Sequence, residues 1–168
     1  MRCSLDPLMR AFEVTQAILT VGTVYHVRKP REEHVLYSVR GVLMSPVPKF
    51  RLVEGEAGEE LGTLTGNFVK TRYEVGDNQS KILGSLAFPA VAFKKTLTLT
   101  VGDDVYEADG GVFRGVFQCK NAGGELVLEI AKELAVRDTF LVRTIESMPL
   151  PVVVLAAVAI HSRFYEMV

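Results

Sequence analysis

Between Glu146-Ser147 and His161-Ser162-Arg163 runs Met148-Pro149-Leu150-Pro151-Val152-Val153-Val154-Leu155-Ala156-Ala157-Val158-Ala159-Ile160, and no charge interrupts it. As a helix this stretch has no polar face, so it must be buried on every side or lie in a membrane. At 1.5 Å per residue, these 13 residues reach about 20 Å, short of a ~30 Å hydrocarbon core. A spanning helix is therefore disfavoured. Three consecutive valines suit a central strand, but Ala156, Ala157 and Ala159 are good helix formers and poor strand residues. Pro149 and Pro151 fit at a helix start, where the backbone N–H groups have no helical partner anyway. The expectation is a helix, thin enough for other backbone to surround closely. A central strand is the alternative.

The rest of the chain offers strands to do the surrounding. Leu97, Leu99 and Val101 alternate with threonines, Leu126, Leu128 and Ile130 with Glu125, Val127 and Glu129, and Val69, Thr71, Tyr73 and Val75 with Lys70, Arg72 and Glu74. That is the period of half-buried strands. Earlier strands are expected at 12–19, 23–28, 35–44 and 49–53, and a closing strand at 138–146. Turn residues fall between them, as in Gly76-Asp77-Asn78, Gly102-Asp103-Asp104 and Asn121-Ala122-Gly123-Gly124. Roughly ten to twelve strands at about 8–12-residue spacing predict a sandwich or barrel. A sheet this large manages its edges best by closing. A barrel of that size has a lumen too wide for its own side chains, and the apolar helix is the filler. The fold expected is all-β: a closed antiparallel barrel around a buried C-terminal helix at about 150–163. Residues 1–11 form an N-terminal arm and 12–168 a single domain.

Composition narrows the function. With 168 residues and 48% apolar content, the chain can bury a substantial core. Its net charge of −1 excludes a molecule built as a whole to attract nucleic acid or anionic lipid, and leaves only a local patch. Cys3 and Cys119 have no metal-type spacing and read as reduced thiols of a cytoplasmic protein. No apolar segment of signal-peptide length opens the sequence. Three Gly-led units end at lysines: Gly62-Thr63-Leu64 leads to Lys70, Gly84-Ser85-Leu86 to Lys94-Lys95, and Gly124-Glu125-Leu126 to Lys132. They fit a recurring hairpin.

Asp138-Thr139-Phe140-Leu141-Val142 leading into the apolar run resembles a pattern of the LURP-one-related and phospholipid scramblase-like proteins, which share a barrel threaded by a C-terminal helix with the tubby C-terminal domain. Tyr25-His26-Val27, Phe50-Arg51-Leu52-Val53 before Gly58, and the Gly-to-Lys rhythm are similar to the same group. The likeness spans roughly residues 12–163. It implies a binding role, since tubby-type domains bind phosphoinositides through basic barrel surface and scramblases associate with lipid and calcium. The chain departs from the scramblases in lacking a proline-rich arm, a cysteine cluster and an acid-rich segment before the helix.

Catalytic signatures are absent. His26, His34 and His161 show no paired-ligand spacing, and no nucleophile elbow, phosphate loop or dinucleotide fingerprint occurs. Cys119 between Gln118 and Lys120 reads as a buried strand residue, and His161 as a polar plug at the barrel mouth. No cofactor or metal is expected: Asp103-Asp104 with Asp109, and Glu54, Glu56, Glu59 and Glu60, lack calcium-loop spacing and read as solvated turns. In an up-and-down meander, however, one barrel end collects Glu54, Glu56, Glu59, Glu60, Asp77, Asp103 and Asp104. The other collects Lys70, Arg72, Lys94, Lys95, Arg114, Lys132 and Arg137. Such a basic end suits phosphate headgroups or an acidic protein partner, although lysines at hairpin ends are also ordinary solubilising surface. Phe68, Phe88 and Phe93 flank it, either dipping into an interface or packing at the core edge. The functional expectation is a non-enzymatic module of the cytoplasm that docks peripherally on anionic lipid or on a protein. The alternatives are a barrel carrier of a small apolar ligand and a scramblase-like lipid mover.

Overall fold

The computed structural model describes residues 9–17, 20–90, 95–110, 115–133 and 138–165. Twelve antiparallel strands follow one another as a meander: β1 (Met9–Gln16), β2 (Val24–Arg28), β3 (Tyr37–Gly41), β4 (Lys49–Glu54), β5 (Glu60–Gly66), β6 (Arg72–Asp77), β7 (Ile82–Ala87), β8 (Thr96–Val101), β9 (Asp104–Asp109), β10 (Val116–Lys120), β11 (Leu126–Lys132) and β12 (Thr139–Ile145). The single sheet has the order β10-β11-β12-β1-β2-β3-β4-β5-β6-β7-β8-β9. The chain closes on itself through β1 and β12, whose register runs from Met9 opposite Ile145 to Thr15 opposite Thr139. The expected closed barrel is nearly closed instead. β9 lies beside β10, but no ladder joins them among the described residues.

The apolar stretch is a helix, α1 (Leu150–Ile160), continued by a wider π-helical turn over His161–Tyr165. Pro149 and Pro151 sit at its start, as their missing N–H groups allow. From Val152 to Ile160 every residue is at most 1% exposed. The barrel answers with Val14, Val27, Val39, Leu52, Leu64, Val75, Leu86, Leu99 and Val142, the inward members of alternating strands. Two glycines make room at the helix start. A Cβ on Gly62 would come within 2.9 Å of Pro151 Cβ and 2.8 Å of Gly76 O, and one on Gly84 within 2.7 Å of Thr100 O and 3.4 Å of Val152 Cγ2. Arg10 secures the approach to the helix by donating from Nη2 to the carbonyls of Met148 (2.8 Å) and Glu146 (3.3 Å).

Among the boundaries that differ from the sequence reading, three have a local reason, while β1 also ends at Gln16 and β3 begins only at Tyr37. β1 begins at Met9, so three residues assigned to the arm pair with β12; residues 1–8 lie outside the described residues. β3 stops at Gly41, leaving Leu43 and Met44 in the turn that precedes Pro46 and Pro48. β6 starts at Arg72, because Asn67 Oδ1 accepts from the N–H groups of Thr71 (2.8 Å) and Arg72 (3.0 Å) and bends the chain. Val69 and Lys70 therefore belong to a turn and not to a strand.

Candidate functional site

A meander sends its connections alternately to two rims. The helix starts at the rim that carries the β4–β5, β6–β7 and β8–β9 turns, and there lie Glu54, Glu56, Glu59, Glu60, Asp77, Asp103 and Asp104, interspersed with Lys29, Arg31, Lys81 and Lys120. It ends at the opposite rim, where the β1–β2, β3–β4, β5–β6, β7–β8, β9–β10 and β11–β12 connections meet. Lys70, Arg72, Lys95 and Lys132 are at this second rim, as the alternation predicts. Lys94, Arg114, Arg137 and Phe93 lie outside the described residues. Asp109, Glu133 and Asp138 share the rim with the lysines.

The helix end organises these cations. Lys95 Nζ lies 4.2 Å from the centroid of the Tyr165 ring, and Lys132 Nζ 5.1 Å from the same ring and 5.7 Å from that of Phe140. Lys70 Nζ donates to Ser162 O over 3.5 Å. Arg163, which sequence reasoning passed over, donates from Nη2 to the carbonyls of Pro89 (2.9 Å) and Ala90 (3.2 Å) and reaches over Phe164. A helix C-terminus carries partial negative charge, so a cation beside it gains about 0.3–1 kcal/mol. A face-on lysine–aromatic contact adds about 0.5–1 kcal/mol at an exposed site. The ring fixes Lys95 and Lys132 without neutralising them, because it has no formal charge.

Beneath the cations is a polar plug. Tyr25 Oη hydrogen-bonds His161 Nδ1 at 2.8 Å, and Tyr73 Oη donates to Ser162 Oγ at 2.9 Å. The Asp138 carboxylate lies 3.5 Å from His161 Nε2, and Thr15 and Thr139 hydroxyls meet at 3.0 Å. The result is a tyrosine–histidine–aspartate chain in which Tyr25 is 1% and His161 2% exposed, with the Asp138 side chain at 29%. The two tyrosine hydroxyls give His161 Nδ1 and Ser162 Oγ hydrogen-bond partners where the π turn leaves the lumen. His26 is half-buried, its pKa lowered by burial first and by the Arg28 guanidinium second, and His34 is exposed. Among the described residues, no group of three His, Cys, Asp or Glu side chains could hold a metal ion.

The three phenylalanines separate. Phe88 is buried against Tyr73 and Phe164, with ring centroids 5.8 and 5.4 Å away. Phe68 stands out from the rim at 80% exposure. It has company that the sequence did not disclose: Val21, Leu43, Met44 and Val69 are each at least 63% exposed, and all sit on the tips of the β1–β2, β3–β4 and β5–β6 connections. Met44 and Lys70 hold left-handed backbone, with φ of 61° and 57°. That conformation costs an L-residue roughly 1–2 kcal/mol, so the tips are shaped against local preference. No protein-family model matches the chain, and no curated protein sequence does either.

Proposed function

We propose that this chain is a non-enzymatic binding module that docks, through the rim where α1 ends, on a membrane surface rich in phosphorylated lipid headgroups. The observation that carries the reading is the uneven charge of the rims among the described residues: Lys70, Arg72, Lys95, Lys132 and Arg163 outnumber Asp109, Glu133 and Asp138 around the helix end, and opposite them seven turn acids outnumber Lys29, Arg31, Lys81 and Lys120. A near-neutral protein with such a dipole presents one end to a negative surface, and each cation close to that surface contributes about 1 kcal/mol. Two of the lysines are held by an aromatic ring, so little ordering remains to be done on binding.

The carrier alternative needs an open lumen, and α1 occupies it. The lipid-moving alternative, in the form that sends the C-terminal segment into the membrane, finds no helix among the described residues long and apolar enough to cross one. The test is co-sedimentation with neutral, anionic and phosphoinositide-containing vesicles at low and physiological salt. Binding should require anionic lipid, weaken as salt shortens the electrostatic range from about 30 Å at 0.01 M to about 8 Å, and disappear in the Lys94→Glu, Lys95→Glu double variant. No sedimentation with any vesicle, or binding indifferent to salt and to the double variant, removes this reading and leaves an acidic protein surface as the partner to seek.

A further inference from the structure

We infer that the tips of the β1–β2, β3–β4 and β5–β6 connections form a membrane-insertion edge, seating Val21, Leu43, Met44, Phe68 and Val69 among acyl chains while Lys49 and Lys70 flank a groove for an anionic phospholipid headgroup. The inference rests on the docking reading above and gives it an orientation and a lipid contact.

The three tips are one structure. Gly41 N–H donates to Thr23 O at 2.8 Å and Gly66 N–H to Pro48 O at 2.7 Å, tying the first connection to the second and the second to the third. Gly22 lies so close to Leu43 that a Cβ there would come within 2.9 Å of its Cδ2. Among the described residues the other exposed large apolar side chains are Ile82 and Val105, which lie away from this rim. Between the second and third tips is a groove of about 300 Å³, lined by Thr23, Val42, Pro46, Phe68 and both lysines. Two lysines in one groove lining offer a phosphate two cationic donors, Lys70 while it also donates to Ser162 O, and the chains of the same lipid would leave past Phe68. The apolar side chains stand on convex tips and not on a flat face, and cations lie directly behind them. Both features match a membrane, where apolar atoms enter the acyl boundary and lysines stay at headgroup level. A second copy of the chain would bring the same positive rim against itself.

The chain has no tryptophan, so Phe68→Trp supplies a single indole reporter. On vesicles containing phosphatidylserine and a phosphoinositide, its emission should shift to the blue and be quenched by lipids brominated along their acyl chains. Sedimentation with an unshifted, unquenched indole overturns the insertion edge and leaves the docking reading standing. No sedimentation of the wild-type chain with any vesicle overturns both. A blue shift that grows with protein concentration in the absence of vesicles makes a second copy the occupant and overturns the edge. As an independent arm, Leu43→Ser with Met44→Ser changes only exposed side chains. It should weaken vesicle binding at physiological salt at least tenfold, because burying one large apolar side chain changes an equilibrium by roughly ten- to hundredfold. Unchanged affinity in that variant also overturns the edge.

Discussion

Cys119 sits in β10 with its thiol pressed among core side chains, and burial pushes its pKa up to about 12. At pH 8 a thiol of that pKa is thiolate in roughly one molecule in 10,000, and the thiolate is the nucleophile. In a Cys3→Ser background, a disulfide reagent should therefore label Cys119 only as fast as the protein unfolds, with the rate rising in parallel with loss of circular dichroism. Rapid labelling of the folded protein would show that the β10 wall opens locally. The burial of this cysteine was legible in its neighbours, as was the plug at His161, because a lone polar residue ending an apolar run has few other uses. The lysine rhythm was legible too: Gly62 and Gly84 lead strands that run to the same rim, and Lys70 and Lys95 follow them there. Phe68 and Phe88 could not be told apart, since each is a phenylalanine beside basic residues. What separates them is the turn made by Asn67, which throws Phe68 outward, while Phe88 is held between Tyr73 and Phe164.

At the scale of elements, α1 is fitted to its barrel more closely at its start than its own sequence discloses. Gly62 in β5 and Gly84 in β7 are poor strand residues on propensity, and by that measure alone alanine should improve both. The geometry reverses the sign at Gly62. A methyl there meets Pro151 and the carbonyl of Gly76 inside van der Waals contact, and a proline ring at a helix start has no rotamer with which to retreat. Gly62→Ala should destabilise the fold by about 1–3 kcal/mol, the usual penalty of overpacking, read as a lower urea midpoint with an unchanged slope. A midpoint that rises would mean that helix and sheet can slide apart. The helix itself was legible because thirteen uncharged positions admit few homes, and the alanines decided against a strand. The β3 and β6 boundaries were not. Alternation continues through Leu43-Met44 and Val69, and only hydrogen bonds from side chains and the neighbouring turns end the strands.

The molecule as a whole is a wall without a self-sufficient interior. Twelve strands enclose more room than their inward side chains fill, and α1 supplies what is missing. A chain ending at Met148 should consequently lose cooperative thermal unfolding and bind a hydrophobic dye, keeping strand signal in the far-ultraviolet but not fixed aromatic packing. Sharp, cooperative melting of that truncated chain would mean that the barrel can collapse onto its own valines. Strand number and all-β class follow from spacing and turn residues. Near-closure at β9 and β10, and the contiguity of the three apolar tips, depend on how loops lean across strands, and no one-dimensional pattern records that. The pairing of β1 with β12 has a temporal side as well. Thr15 meets Thr139 and Met9 meets Ile145, so β1 leaves the ribosome well before its partner β12, and the pair then waits for α1. Contacts that distant in sequence form slowly. Until α1 emerges, the half-barrel holds an unpaired edge at β1 and an uncovered row of valines, and surfaces of that kind make a nascent chain prone to aggregate.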